Sequence, residues 1–413
     1  MTGTASGSRR GGGIRRGEAR AGWLFVTPAV VIVGVFLAIP ILLALWVSFS
    51  DWNGFRSPLN PNVNFVGLEN YAAITVEPGL DQENFGRSVR NNLWYVVFVV
   101  PLQTIVALLL AVQVNRAVLR GRGFFRTAFY FPSVTSTVAI VIVFQFLFTA
   151  SGAINAVLGF FGVDGPNWFN DPSGVFHNIL GAFGVTTAPE ALAQEGPLGI
   201  TWWEWLAGPS VAMSSLIMLA IFTTSGTFML LFLAGLQNIG GEIDEAARMD
   251  GAGAVRTFFS ITLPMLRPTI FTVLTLGLIG SWQVFDQIYV LGGSTAGGTI
   301  TTPAFLAYET SFDNLKWGQG AAIAFILFVF IILLTLFQRW VLREREPKAP
   351  RARGGGAATG ATDGGGPRPA PARHEEPDVD AAVVGADPTD RALLTGVDAP
   401  DDPDRTSREG SRR

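Results

Sequence analysis

Glu245-Ala246-Ala247-Arg248-Met249-Asp250-Gly251, followed after nine intervening residues by Ile261-Thr262-Leu263-Pro264, forms a hydrophilic bridge between two long apolar stretches. Those flanks decide the fold. A helix that crosses a bilayer needs about 20 mostly apolar residues, because the hydrocarbon core is roughly 30 Å thick. Residues 212–236 before the bridge and 268–291 after it meet that length, and so do residues 23–49, 93–112, 127–148 and 321–341. Backbone amides and carbonyls find no water in lipid, so each stretch must satisfy its own hydrogen bonds as a helix. The stretches are apolar nearly all round, unlike the strict alternation of a membrane barrel. The sequence therefore predicts an all-α integral membrane protein with six transmembrane helices.

Composition agrees. Of the 413 residues 49% are hydrophobic and only 15% charged, a balance that suits a polytopic membrane chain rather than one soluble domain. There is no cysteine, which removes disulfides and thiolate metal sites. The two histidines, His177 and His374, lie far apart in sequence. That argues against histidine-based metal sites and nucleophilic triads. No catalytic residue, metal, cofactor or nucleic-acid partner is implied. Arg15, Arg16 and Arg20 before the first apolar stretch mimic a signal peptide. The stretch is too long for one, however, and no small-residue cleavage site follows before Asp51, so it reads as a retained anchor.

Lys and Arg set the orientation, since short cytoplasmic segments carry the excess of positive charge. Of 29 such residues, all but Arg56, Arg87, Arg90 and Lys316 fall before the first span, between spans two and three, in the Glu-Ala-Ala bridge, or from Arg339 at the end of the last span onward. That side is expected to be cytoplasmic, with both termini, and six spans give the same parity. Residues 1–20 read as a disordered basic N-terminus. Residues 343–413, rich in Gly, Pro and Asp, read as a disordered cytoplasmic tail.

The E-A-A, three residues, G, nine residues, I-x-L-P pattern resembles the cytoplasmic coupling loop of ABC-transporter permeases of the binding-protein-dependent import type, specifically the maltose-permease-like sugar importers. Three other phrases resemble the same family: Asn64 to Tyr71, the entry Gly123-Phe124-Phe125-Arg126 with Phe131-Pro132, and Phe285-Asp286-Gln287-Ile288-Tyr289-Val290. The resemblance covers roughly residues 20–342. It implies a permease domain over residues 21–342, a coupling loop at about 237–266, and residence in a bacterial cytoplasmic membrane. It also implies four kinds of partner beside the lipid bilayer: a second permease subunit, two ABC ATPase subunits, an extracellular solute-binding protein and a carbohydrate substrate. The chain departs from the pattern at Gly240, where Pro is frequent, at Asp244, often aromatic or aliphatic, and at Ser294, usually Pro.

The resemblance assigns Glu245, Ala246, Ala247, Asp250, Gly251, Ile261, Leu263 and Pro264 to ATPase coupling. The residues themselves predict a short helix from near Glu242, with acids in its first turn and Gly251 ending it at positive φ. Ile243, Ala246, Ala247 and Asp250 share one small face. Residues 254–260 are expected to form a second short helix, and Pro264 to open span five. Ala247 alone reads more readily as packing against its own bundle. The chain carries no ATPase: its one phosphate-loop lookalike, beginning at Gly292, has Gly298 where the lysine belongs.

Polar side chains in spans usually face the protein interior. Gln145, Thr224, Ser281, Gln283, Phe285, Asp286 and Tyr289 are therefore the candidate lining of a substrate path, the aromatics offering ring faces and the polar groups partners for hydroxyls. A helix-end carboxylate is the plainer reading of Asp286. The tryptophans of the long loop 151–208 read first as an interfacial belt. The function this implies is the membrane-spanning permease subunit of an ATP-driven importer for a mono- or oligosaccharide. The same architecture could carry another solute such as glycerol phosphate. An ion-coupled secondary transporter would need ionisable groups at mid-membrane, and the spans hold almost none.

Overall fold

The computed structural model describes residues 16–116, 120–293 and 295–341. The expected tail and most of the expected disordered N-terminus lie outside the described residues. Residues 16–20, however, are already helical.

The chain opens with α1 (Arg16–Val33), a π turn (Gly34–Ala38) and α2 (Ile39–Ser48). Together they make the first span. The π turn has a local cause. Pro40 has no amide hydrogen, and its ring would press on the carbonyl four residues earlier. Widening the preceding turn relieves that clash, and Ile39 N–H donates five residues back to Gly34 O.

α3 (Glu69–Thr75) caps the following loop, and α4 (Leu80–Asn115) then runs through the second span. It starts well before the predicted Leu93. Asp81 and Glu83 occupy its first turn, where they complement the helix dipole. Protein rather than water covers its polar segment: Arg90 Nη1 donates to Glu204 O at 3.3 Å, and Asn91 Nδ2 donates to Gly298 O and Thr301 O at 3.1 and 3.0 Å.

The third apolar stretch departs most from expectation. It is a pair of helices, α5 (Arg122–Val134) and α6 (Thr137–Leu147), bent by 95°. Pro132 removes one backbone donor near the end of α5. Thr135 and Ser136 are then extended, with ψ of 148° and 127°, and turn the chain. Among the described residues five helices are long and apolar enough to span, and this broken pair brings the number to six.

The long loop folds around α7 (Ala153–Phe160), α8 (Val175–Ala182) and α9 (Trp202–Trp205). α9 is closed by a capping box in which Thr201 Oγ1 accepts from Glu204 N and Glu204 Oε2 accepts from Thr201 N. The tryptophans here are tied into the protein more than a belt requires. Trp203 stacks on His177 at 4.2 Å, Trp168 Nε1 donates to Asn155 Oδ1 at 2.7 Å, and Trp205 Nε1 donates to Pro197 O at 3.2 Å.

α10 (Val211–Gln237) is the fourth span. α11 (Gly241–Met249), α12 (Ala254–Thr257), a π turn (Phe258–Thr262) and α13 (Leu263–Met265) make the bridge. α14 (Arg267–Trp282) and α15 (Asp286–Leu291) form the fifth span. α16 (Pro303–Tyr308), a π turn (Glu309–Asp313) and α17 (Trp317–Val341) complete the described chain. Among the described residues only isolated β-bridges occur, and no strand.

α4 and α10 pack together at the centre, flanked by α5 and α14. Near α11 the core consists of Ala107, Ala111, Met229, Phe232, Leu233, Leu266 and Val273. Ala107 and Ala111, four residues apart and fully buried, let the α4 and α10 backbones approach closely. At the opposite end Tyr95, Val99, Met213, Leu216, Ile288 and Phe305 form a second core. A Cβ on Gly226 would run into the carbonyl of Phe129, so α5 lies directly on α10. α1, α2 and much of α17 expose apolar side chains, as a lipid-facing surface requires.

Candidate coupling loop and translocation path

The bridge is a built object. Gly240 is extended (φ −60°, ψ 140°) and its carbonyl accepts from Ile243 N at 3.1 Å, which starts α11. The helix ends in a Schellman arrangement. Ala252 N donates to Ala247 O at 2.9 Å and Gly251 N donates to Arg248 O at 3.0 Å, with Gly251 at φ 75°. The sequence-predicted glycine stop is thus present in its full geometry.

The expected small face of α11 does not stay together. Ala247 is only 4% exposed, whereas Glu245, Ala246 and Asp250 are exposed. The apolar surface on the outward side comes from residues that the sequence reading passed over or mentioned only in passing. Met249 is 88% exposed, Val255 71% and Phe259 62%. Met249 could have been noticed as a large apolar residue within an otherwise hydrophilic turn.

The expected second short helix becomes α12, the π turn and α13 in continuous succession. Pro264 does not open span five; it is the second residue of α13, and the π turn before it repeats the arrangement around Pro40. Leu263 N donates five residues back to Phe258 O, which leaves room for the proline ring. Pro268 opens α14 instead. Ile261, Leu263 and Pro264 are half-buried. Leu266 is 1% exposed and locks this end of the bridge into the core.

In span five the helix is interrupted at Gln283, Val284 and Phe285; of the seven path candidates Gln283 and Phe285 fall in the break and Asp286 follows directly after it. Phe285 adopts φ −138°, ψ −55°; Gln283 and Asp286 are exposed, and Asp286 is the first residue of α15. The break frees the carbonyl of Val284, and buried Thr302 Oγ1 donates to it at 2.9 Å. Phe285 and Tyr289 stack at 5.5 Å. Ser281 is buried one turn earlier.

Gln145 and Thr224 lie apart from this group. Gln145 lines a groove of about 380 Å³ with Phe146, Phe148, Asn167, Phe169 and Asn170. Thr224 Oγ1 donates to Gln103 Oε1 at 2.7 Å, and also to Ala220 O. Gln103, which the sequence reading did not single out, is 1% exposed, and its Nε2 has no partner among the described residues. A buried amide with a spare donor at the junction of α4, α10 and α14 is a polar centre inside the bundle. An amide in the apolar run of span two was the signal that could have found it.

Apolar helices around a buried polar centre, with a capped, exposed short helix between spans four and five, define an integral membrane fold. Residues 103–346 match the family described as binding-protein-dependent transport system inner membrane component. The chain belongs to that family. It is 30% identical over 340 residues to the probable ABC transporter permease protein YesP of Bacillus subtilis, covering 81% of this chain and 94% of that one. It is equally similar, at 30%, to the lactose transport system permease protein LacF of Rhizobium radiobacter, covering 79% and 95%. The trehalose/maltose transport system permease protein MalF of Thermococcus litoralis is also 30% identical, covering 80% and 96%. Among solved structures, a bacterial ABC transporter involved in import of the acidic polysaccharide alginate shares the fold, with TM-score 0.61, 20% identity, and coverage of 79% of this chain and 97% of that one. The chain is thus a multi-pass permease subunit of the cytoplasmic membrane and a transport component rather than an enzyme.

Proposed function

We propose that this chain occupies a permease domain of residues 21–342 in an importer for a mono- or oligosaccharide. It works with a second permease subunit, two ABC ATPase subunits and a solute-binding protein. Both termini and the loop at about 237–266 face the cytoplasm. The relatives named for lactose and for trehalose/maltose support the sugar. The observation that carries the coupling assignment is α11 itself: a C-capped helix that exposes Glu245, Ala246 and the C-cap Asp250 while Ala247 is buried, in a loop whose far end is held in the core by Leu266. In this reading the ATPase grips the exposed side. When two ATPases close around ATP, the loop moves as a rigid body and shifts α10 and α14. Ile261, Leu263 and Pro264 hold the second half of the loop in register.

The substrate path runs past the break in span five. There Gln283 and Asp286 provide hydrogen-bonding partners for hydroxyls, Phe285 and Tyr289 provide ring faces, and Ser281, Thr224 and Gln145 are further polar positions. The test is uptake of a labelled sugar panel by cells lacking this chain. Wild type should restore one sugar's ATP-dependent uptake, and a chain carrying E245R with G251V should not. Restoration by both chains would remove the coupling assignment. Failure of wild type with every sugar would remove the substrate class and move the panel to phosphorylated polyols.

A further inference from the structure

The groove that holds Gln145 lies where the end of α6, the long loop and the end of α15 come together. α6 contributes Gln145, the turn after it Thr149, the segment beyond α7 Asn167 and Asn170, and α15 its last residue, Leu291. A volume of about 380 Å³ is that of a small-molecule site. The floor is fixed. Phe148 and Phe169 are buried there and meet at 5.9 Å, and Phe144 packs on Phe148 at 5.5 Å. Phe148, Phe169 and Leu291 are all part of the core at this end of the bundle. The floor therefore supplies apolar contact, and direction has to come from the polar groups around it.

Those groups are three carboxamides and a hydroxyl. Asn170 N donates to Asn167 O at 2.9 Å and Asn170 Nδ2 donates to Asn167 Oδ1 at 3.4 Å, so one turn holds the two amides side by side. That bond leaves the Asn167 amide donor and the Asn170 amide oxygen free among the described residues. Thr149 Oγ1 donates to Phe146 O at 3.1 Å and keeps its lone pairs. Gln145, half-buried, adds a further donor group and acceptor. No charged side chain among the described residues lines the groove. From Thr127 to Ala247 the sequence has no Lys or Arg, and Asp171 follows Asn170 directly.

This lining fits one kind of occupant. A lipid chain would cover the amides and leave them unpaired, which is costly. An anion would need donors or a cation; here acceptors are as many as donors, and the neighbouring charge in sequence is negative. Hydroxyls both donate and accept, so a neutral polyol pairs both halves of each amide. Resting on the sugar reading above, we propose that the groove is an outer subsite for one neutral sugar unit, separate from the break in span five, and that it selects against phosphorylated solutes. One helix serves both places: α15 begins at Asp286 beside the break and ends at Leu291 in the groove. Under the orientation proposed above, the groove is on the extracellular side, where the solute-binding protein delivers its load.

The test exploits the absence of cysteine from this chain. T149C puts a single thiol in the groove of the complete transporter in proteoliposomes with solute-binding protein. Its reaction with a maleimide is followed by mass spectrometry of this chain's peptide. Maltose, lactose, trehalose and glycerol 3-phosphate are each added. The expected result is that a sugar taken up by wild type slows labelling of T149C about tenfold, and that Q145L raises that sugar's KM about tenfold, the worth of one lost hydrogen bond. Adding Q145L with N170L to T149C should abolish the protection, and glycerol 3-phosphate should give none. The subsite is overturned if a transported sugar leaves labelling unchanged, if protection survives Q145L with N170L, or if glycerol 3-phosphate protects equally. It is overturned too if the thiol is unreactive with and without sugar, because lipid or the second permease then covers the groove. Should T149C not assemble, N167C is read by the same criteria. If wild type takes up no sugar of the panel, the sugar reading fails, and the subsite with it.

Discussion

Replacing Gly251 separates backbone conformation from packing at the one turn that ends α11. Its φ is 75°, and a Cβ built there meets nothing within 4 Å. A side chain at this position therefore costs no overlap, and the whole penalty lies in holding an L-residue in the left-handed region, about 1–2 kcal/mol. A β-branched residue is a stronger outlier there, whereas asparagine tolerates the region. One to two kcal/mol lowers the population of the capped loop by a factor of about 5–30. The core residues Leu266, Phe232 and Ala107 are untouched, so global stability should stay at the wild-type value. The expected order for ATPase-subunit co-purification and for ATP-dependent uptake is glycine, then G251N, then G251A, then G251V, at constant melting temperature. Wild-type uptake and association in G251V would refute the argument. So would a drop in melting temperature that tracks the loss of uptake, because the effect would then be global unfolding.

Gly226 provides the opposite case: in G226A the new methyl meets the Phe129 carbonyl, a backbone atom that cannot rotate away. The purified protein should lose about 1–3 kcal/mol of stability, read as a lower melting temperature. Q103L should leave stability within about 1 kcal/mol of wild type, because Thr224 keeps Ala220 O as acceptor and an unpartnered buried amide disappears. Uptake should nevertheless fall if this amide serves the path, and normal uptake with normal stability would exclude that role. Burial holds His177 below its ordinary value near 6.5, and the carbonyl of Trp203 opposes the shift only in part. Because the folded pKa is the lower one, the stability tied to neutral His177 is present above pH 6.5 and is lost as pH falls through the folded pKa. The tryptophan fluorescence of wild type, compared with H177Q, should therefore change only below pH 6.5. A midpoint above that value would contradict the burial.

The helical membrane architecture was legible because lipid leaves the backbone few choices: length and apolar content alone locate the spans. The helix stop at Gly251 was equally legible, since one glycine after an amphipathic turn has few other uses. Faces were harder. The i, i+3, i+4, i+7 set around Ala247 was read as one surface, yet tertiary packing turned Ala247 inward and left Met249 outside. The break at Thr135-Ser136 was hidden because the run remains apolar across the bend, and only Pro132 hints at it. Gln103 was missed for a related reason: one amide in a span has no periodicity, and its neighbours Thr224 and Gly277 come together only in three dimensions.

The π turns have a mechanical consequence. A π turn is one extra residue lodged in a helix, and an α-helix advances about 100° per residue. Everything beyond Thr262 is therefore rotated by about that angle relative to the phase set before Phe258. Removing a single residue from 258–262 would turn α12, with Val255, about a quarter revolution relative to the Leu266 anchor, at the cost of pressing the Pro264 ring on the carbonyl that the π turn now clears. The direction in which the loop offers itself to another protein is thus set by a residue count, and two relatives that differ by one residue here would present different surfaces from nearly identical sequences.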